Sequence, residues 1–172
     1  ERYLTGYYFV GLPLEEILFF ICIPYACLFT FYTLTAVVER DYLFPHQEII
    51  STVIIILTLI FGIYFMEKAY TATTLLLTGF FLAYHMLKLR PNYMGRFYFS
   101  FAVLLVPFLL INGILTGAFT DEPVVWYNDE ENLGVRIGTI PIEDSLYGMM
   151  MILVPVTLAQ RFESIRPKKK KP

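Results

Sequence analysis

The sequence predicts an all-α fold, a polytopic bundle of about five transmembrane helices. Of its 172 residues, 57% are hydrophobic and only 16% are charged, and the mean hydropathy is +0.60. This apolar excess is too large for a soluble domain of the same length. The apolar residues also gather in five segments, each near the ~20 residues that a helix needs to cross a bilayer.

We expect the five spans at about residues 14–38, 49–66, 69–87, 97–116 and 142–162. Only Glu67 and Lys68 separate the second span from the third, so these two require a tight hairpin. Pro24, Pro107 and Pro155 fall inside the first, fourth and fifth spans. In a membrane bundle such prolines kink a helix instead of ending it, because neighbouring groups satisfy the freed carbonyl. With no linker or soluble region, residues 1–172 form a single transmembrane domain.

The first residues of the chain, its two cysteines and its two histidines indicate no catalytic or metal-binding role. The first residue is Glu1, and no basic stretch precedes a cleavable apolar core, so we predict no signal peptide and expect a fragment or a processed product. Cys22 and Cys27 lie five residues apart, and a helix turns them away from each other, which favours packing over a disulfide. His46 and His85 stand alone and are interpreted as structural or interfacial residues.

The basic residues predict the orientation of the bundle. If the spans alternate, ten of them fall on one side of the membrane: Arg40, Lys88, Arg90, Arg96, Arg161, Arg166 and Lys168 to Lys171. The other side holds Arg2, Lys68 and Arg136. Cytoplasmic loops carry the basic excess, so we expect a multi-pass protein of the inner (cytoplasmic) cell membrane with its C-terminal tail inside. The lysine run is interpreted as a headgroup anchor, and we predict no nucleic-acid partner.

Two acidic doublets open the first and last spans. Glu15-Glu16 follows Pro13, and Glu143-Asp144 follows Pro141. The two stretches align at a constant offset, with Gly6 opposite Gly134, which suggests an internal repeat of a Pro-x-Glu-[Glu/Asp] helix start. Four crossings separate the doublets, so both lie on the outer face and are able to share one site.

The segment between the last two spans, residues 117–139, is acidic and contains Pro123, which excludes a further span. Trp126 and Tyr127 carry the amphipathic rings that settle at a membrane interface. We expect this segment to be a simple interfacial connection, with a lid over the bundle as the second interpretation.

Acids after a helix-opening proline are an ordinary helix-start signal, since they oppose the positive end of the helix dipole. The apolar flanks of both doublets argue for more than that, because ionisable groups at membrane depth tend to face a bundle interior and mark a functional path. Neighbouring carboxylates in an apolar pocket cannot both be charged cheaply, so one is held protonated beside an ionised partner. The pair is then a general acid next to a general base. The sequence contains no phosphate-binding loop, activated nucleophile or metal-ligand spacing, which leaves proton transfer to a lipid-soluble molecule.

These motifs resemble the small integral-membrane lycopene cyclase family, found in bacteria, archaea and fungi as two subunits or one fused chain. The resemblance covers essentially the whole chain and is carried by these stretches in order: Tyr3-Leu4-Thr5-Gly6, Leu12-Pro13-Leu14-Glu15-Glu16-Ile17-Leu18-Phe19-Phe20, Asn112-Gly113-Ile114-Leu115-Thr116-Gly117, Pro123-Val124-Val125-Trp126-Tyr127-Asn128 and Glu131 to Asp144. Fused members carry further membrane helices upstream, so the resemblance implies that upstream helices or a second subunit complete the enzyme.

The resemblance further implies a lycopene β-cyclase that converts the ψ-ends of an acyclic carotenoid to β-ionone rings, taking lycopene to γ- or β-carotene without net redox change. It implies catalytic roles for Glu15, Glu16, Glu143 and Asp144, with the assignment of acid and base left open. Substrate contacts are expected from five side chains: Phe19, Phe20, Tyr147, Trp126 and Asn112. Aromatic faces stabilise passing cations, although bundle packing explains the same residues. The expected partners are the carotenoid and membrane lipids. No cofactor is predicted, and the sequence does not decide whether a reduced flavin or nicotinamide is needed.

Other functions fit the same sequence. The product could be a ring on a longer C50 carotenoid, or an ε- or γ-type ring set by which proton leaves. A proton-coupled carrier also uses intramembrane carboxylates and kinked helices, but predicts polar residues continuing along the spans, where we find only scattered Thr, Ser and Asn. The chain could also be a non-catalytic half that pairs with a partner.

Overall fold

The computed structural model of the protein describes residues 5–119 and 122–165. Within these residues five helices are long and apolar enough to cross a membrane. They are α1 (Leu14–Val37), α2 (Gln47–Tyr64), α3 (Ala69–Tyr84), α4 (Met94–Leu115) and α5 (Glu143–Ile165). The predicted all-α class of about five spans is therefore confirmed, and the chain is a multi-pass membrane protein. The basic tail, Arg166 and Lys168 to Lys171, lies outside the described residues, as do Arg2 and the Tyr3-Leu4 part of the family motif.

The helix ends differ from the predicted ones by a few residues. A single 3₁₀ turn, Phe44–His46, leads into α2, and a π-helical turn, His85–Leu89, extends α3. Pro24, Pro107 and Pro155 lie inside α1, α4 and α5, which continue past them as expected of membrane helices.

Helices α2 and α3 form the tight hairpin that the two-residue gap required. Small residues let the two backbones approach closely, as is usual between membrane helices. A Cβ atom added at Gly62 would come within 2.9 Å of Leu76, and one added at Gly79 within 2.8 Å of Leu59 and Thr58. The packing of α2 against α3 therefore leaves no room for a side chain at either glycine, which limits how the two helices can be rotated against each other.

The core lies where α1, α3, α4 and α5 meet. Its most buried members include Phe31, Leu82, Phe97 and Leu153. Some polar side chains between the helices find partners there, which avoids the cost of an unpaired group in hydrocarbon. The fully buried His85 contacts the Phe81 carbonyl through Nδ1 and the Thr157 hydroxyl through Nε2, both at 2.8 Å, which agrees with a structural role.

Two short hairpins, which the sequence reasoning missed, precede the helices that carry the acidic doublets. Strands β1 (Tyr8–Phe9) and β2 (Leu12–Pro13) pair before α1, and β3 (Arg136–Ile137) and β4 (Ile140–Pro141) pair before α5. Their registers are the same: Tyr8 pairs with Pro13, and Arg136 with Pro141, 128 positions later in each case. Both hairpins deliver the chain directly into a membrane-spanning helix.

Candidate active site

The hairpins fix where each acid-bearing helix begins. The Leu14 N–H donates to the Tyr7 carbonyl at 2.9 Å, and the Ile142 N–H donates to the Val135 carbonyl at 3.0 Å. These donors belong to the orphan N–H groups at a helix start, which would otherwise lack a partner. The two doublets thus start from locally equivalent backbone, at the same end of the bundle.

The first acid of each doublet is tied back to the chain before its own hairpin. The Thr5 N–H donates to Glu15 Oε1 at 2.7 Å, and the Leu133 N–H donates to Glu143 Oε1 at 2.8 Å. In each carboxyl group the other oxygen, Oε2, is buried and has no hydrogen-bond partner among the described residues. Each doublet thus begins with an acid that is anchored through one oxygen and has its other oxygen unpaired within the part of the chain that the structure describes.

Glu143 is the more enclosed of these two acids. Only 1% of it is exposed, and the Thr71 hydroxyl, from the first turn of α3, donates to Oε1 at 2.6 Å. Oε1 therefore accepts two hydrogen bonds, one from α3 and one from the Leu133 backbone. Glu143 joins α5, α3 and the preceding loop.

Asp144 lies between two phenol groups. The Tyr70 hydroxyl donates to Oδ1 and the Tyr127 hydroxyl donates to Oδ2, while the residue itself is 5% exposed. Hydrogen bonds that both oxygens accept favour the ionised carboxylate, and charge-assisted bonds of this type are about twice as strong as neutral ones. The two phenols therefore offset part of the cost of burying a charge on Asp144.

Tyr127 is itself contacted by a charged side chain of the same loop. The Arg136 guanidinium lies 5.9 Å from the centre of its ring and forms an ion pair with Asp129 at 2.5 Å. Burial, and next the hydrogen bond to Asp144, raise the pKa of Tyr127, so the phenol stays protonated. The hydrogen bond from Arg136 holds the pKa of Asp129 below its ordinary value.

The loop that carries Tyr127 is anchored to the start of α3. The Glu131 carbonyl accepts from the N–H groups of Tyr70 and Thr71, at 3.1 and 3.2 Å. Lys68 Nζ donates to the Asn132 carbonyl at 2.7 Å. This part of the predicted interfacial segment therefore forms a fixed wall of the site.

A cavity of about 410 Å³ lies between the two doublets. Glu15 and Glu16 reach it from α1, and Asp144 reaches it from α5. Its other lining residues are mainly aromatic and aliphatic: Phe19, Phe20, Tyr70, Phe108, Asn112, Leu115, Val124, Val125, Tyr127, Tyr147 and Met151. The arrangement offers carboxyl groups from two helices to an apolar molecule.

The nine residues selected from the sequence divide on this geometry. Seven line the cavity: Glu15, Glu16, Asp144, Phe19, Phe20, Tyr147 and Asn112. Glu143 lies behind it against α3, and Trp126 is 77% exposed on the loop and lines none of it. Sequence reasoning missed Tyr70 and Thr71, for which the signal was two hydroxyl residues in the first turn of α3, at the same end of the bundle as both doublets.

Metal ligation has no support in the described residues. Among positions 5–119 and 122–165, no group of three or more His, Cys, Asp and Glu side chains is placed to hold a metal ion. The polar groups of the site instead pair with one another through hydroxyl and backbone donors.

Comparison with known proteins identifies the family. No curated protein and no solved structure matches the chain. A sequence profile described as lycopene cyclase matches residues 1–34 and 67–162, which include both doublets, Tyr70, Thr71 and Tyr127. The matched region covers well over half of the 172 residues, and the chain therefore belongs to the lycopene cyclase family.

Proposed function

We propose that this protein is a lycopene β-cyclase, which closes the ψ-ends of an acyclic carotenoid into β-ionone rings by proton transfer. The observation that carries the proposal is that Glu15, Glu16 and Asp144, from two helices, line one largely apolar cavity. An acyclic carotenoid is a hydrocarbon, so it offers no polar group for recognition. An apolar cavity with acids at one end suits a substrate that reacts only by gaining and losing a proton.

Glu15 is the proposed proton donor. It lines the cavity, only its Oε1 is hydrogen-bonded, and its Oε2 is unpartnered within the described residues. When Glu15 is protonated, an O–H on this oxygen has no competing acceptor and is free to protonate the terminal double bond. The new C–H bond leaves a tertiary carbocation on the substrate.

Asp144 is the proposed base. The second double bond attacks the first cation, which forms the ring bond and moves the positive charge into the ring. The Asp144 carboxylate, which accepts hydrogen bonds from Tyr70 and Tyr127, stabilises that charge and then takes a ring proton. Loss of this proton creates the ring double bond, so the product is an isomer of the substrate and no electrons are exchanged.

The cycle ends with Glu15 ionised and Asp144 protonated, so a proton must return from one to the other. Glu16 lines the same cavity, is exposed, and is the proposed carrier of that proton. The rings of Phe19, Phe20 and Tyr147 are proposed to face the cationic intermediates, which aromatic faces attract.

Glu143 takes a different part in this scheme. Because it bonds Thr71 and Leu133 and does not line the cavity, we propose that it positions α5 and its loop instead of meeting substrate.

We further propose that the protein lies in the cytoplasmic membrane with this end of the bundle outside. The support is the basic excess in the segments joined to the opposite end, including Arg40, Lys88, Arg90 and Arg96. Single cysteines placed at Glu130 and at Arg90 in a Cys22→Ala/Cys27→Ala background test it. A membrane-impermeant thiol reagent should label the first in intact cells and the second only after lysis, and the reverse pattern would reject the orientation.

The function is tested in cells that accumulate lycopene. The chain should turn them from red toward orange-yellow, with cyclised product identified by chromatography. Glu15→Gln and Asp144→Asn should each lower product formation by at least ~100-fold, the usual contribution of a general acid or base. The matched control is Glu67→Gln, an exposed acid at the same end of the bundle that lines no part of the cavity.

Protein in the membrane is measured in parallel, so that loss of activity is separated from loss of protein. Full activity in both cavity variants would overturn the roles proposed for Glu15 and Asp144. If the unaltered protein is abundant in the membrane, alone and with an added partner subunit, yet gives no cyclised pigment, the cyclase function itself is wrong.

A further inference from the structure

A second cavity, of about 250 Å³, continues from the acid-lined one toward the middle of the bundle. The two share four lining residues: Phe19, Phe108, Asn112 and Met151. Beyond these, the second cavity runs along α1, α4 and α5, past Ile23 and Leu104 to Ala26, Cys27 and Thr30. The two cavities are therefore adjacent, and together they are called here the α1–α4–α5 groove.

The groove is long compared with the membrane. Thr30 lies 15 residues beyond Glu15 on the same helix, which corresponds to roughly 22 Å at 1.5 Å per residue. The hydrocarbon core of a bilayer is about 30 Å thick. A molecule that fills the groove must therefore lie lengthwise along the helices, with one end at the acids and the other beyond the bilayer centre.

The inner part of the groove is lined mainly by apolar side chains and offers few polar groups to a ligand. The Thr30 hydroxyl, one of its few polar groups, donates to the Ala26 carbonyl at 2.9 Å and so is satisfied within α1. Asn112 is the one carboxamide, and it lies at the junction with the acid-lined cavity. Polarity thus rises from the inner end toward the doublets.

Two backbone features shape the groove near the junction. Pro107 lines the groove and has no N–H, so α4 lacks one backbone hydrogen bond at this level. Gly148 on α5 lies against the Phe108 ring, and a Cβ atom there would come within 3.0 Å of Cε2. The absent side chain lets Phe108 sit between the helices, where its ring borders both cavities.

We propose that the α1–α4–α5 groove holds the polyene chain of the substrate lengthwise, with one ψ-end among the acids and the remaining chain running to Ala26 and Thr30. The inference rests on the proposed function. A carotenoid is favoured over a lipid acyl chain because the inner cavity adjoins the acid-lined one and has aromatic rings, Phe19 and Phe108, at the junction. Only one end then reaches the acids in each binding event, so a two-ended product requires release and reversed re-entry.

Ala26→Phe tests the groove, because it fills the inner end with a ring from an exposed position on α1. Cys22→Phe is the matched control, since it adds the same ring to an exposed site on the same helix that lines neither cavity. Thr30→Phe is a second blocking variant. Lycopene is achiral, so binding to the purified protein in detergent is read from the circular dichroism that the polyene acquires in a chiral groove, and this readout needs no turnover.

Ala26→Phe and Thr30→Phe should weaken lycopene binding about tenfold or more, as expected from overfilling a packed site, while Cys22→Phe binds as the unaltered protein does. Far-ultraviolet circular dichroism confirms that each variant keeps its helices. Equal binding by all four proteins, or no induced signal with any of them, would overturn the proposal, and the second result would leave the groove to lipid. Induced signal with the expected pattern but no cyclised product would retain the groove and reject the cyclase function.

Discussion

Removing one phenol hydroxyl from Asp144 provides a sharp test of the proposed base. In Tyr127→Phe the ring remains and only the hydrogen bond to Oδ2 is lost; in Tyr70→Phe only the bond to Oδ1 is lost. A hydrogen bond to a charged group contributes about 1.5–3 kcal/mol. At about 1.4 kcal/mol per factor of ten in rate, each variant should slow cyclisation by roughly 10- to 150-fold.

The assay is the initial rate of cyclised product in isolated membranes at saturating lycopene, normalised to the amount of protein. Tyr25→Phe is the matched control, because this exposed tyrosine on α1 lines neither cavity. The double variant should be no slower than Asp144→Asn, since both act through the same carboxylate and such effects are not additive. Rates within twofold of the unaltered protein in both single variants would refute the idea that phenol donors keep Asp144 active.

Three further predictions concern stability and pH. Thr71→Val removes a buried donor from Glu143 and should lower the free energy of unfolding by about 1–3 kcal/mol, measured by thermal unfolding in detergent. Gly79→Val places a side chain within 2.8 Å of α2 and should cost about 1–3 kcal/mol in the same measurement. The pKa of Asp129 is lowered by Arg136, so their ion pair is present above the ordinary aspartate pKa of ~3.9 and is lost only as the pH falls through the lower folded value. Limited proteolysis of the loop should consequently stay constant from about pH 8 to pH 5.

Each of these has an outcome that contradicts it. Thr73→Val is the control for Thr71→Val, because the Thr73 hydroxyl bonds to carbonyls of its own helix. An equal loss of unfolding free energy in both variants would show that the hydrogen bond between Thr71 and Glu143 adds no stability of its own. An unchanged unfolding temperature in Gly79→Val would mean that α2 and α3 are not packed closely there. Faster loop cleavage between pH 8 and pH 5 would show that Asp129 is not stabilised as an anion.

The membrane architecture was predictable because it follows from length and hydropathy. A span needs about 20 apolar residues, and the chain contains five such runs. The structure likewise brings the doublet of α1 and Asp144 of α5 to one cavity, as the number of crossings between them allowed. For the spans and for the common side on which the doublets lie, the number and position of the apolar segments were therefore sufficient.

The details of the site were not predictable in the same way. Two-residue strands are too short to produce an alternating pattern, so the hairpins before α1 and α5 left no periodic signal. Tyr70 was not selected from the sequence, because its contact with Asp144 on another helix appears only in the folded structure. The adjacent acids Glu143 and Asp144 look equivalent in sequence, but a helix turns successive side chains by about 100°, so one faces α3 and the other the cavity.

The hydrogen bonds of the site depend on two distant glycines through the rotation of α3 about its axis. Tyr70 and Thr71 are neighbours on α3, and each serves a different acid of α5, so both bonds hold only at one azimuth of α3. Gly62 and Gly79 set this azimuth by letting α2 lock against α3, with Gly79 roughly 14 Å along the helix from Tyr70. A larger side chain at Gly62 or Gly79 should therefore misalign the hydrogen-bond donors of Asp144 and lower turnover, although neither glycine lines the cavity.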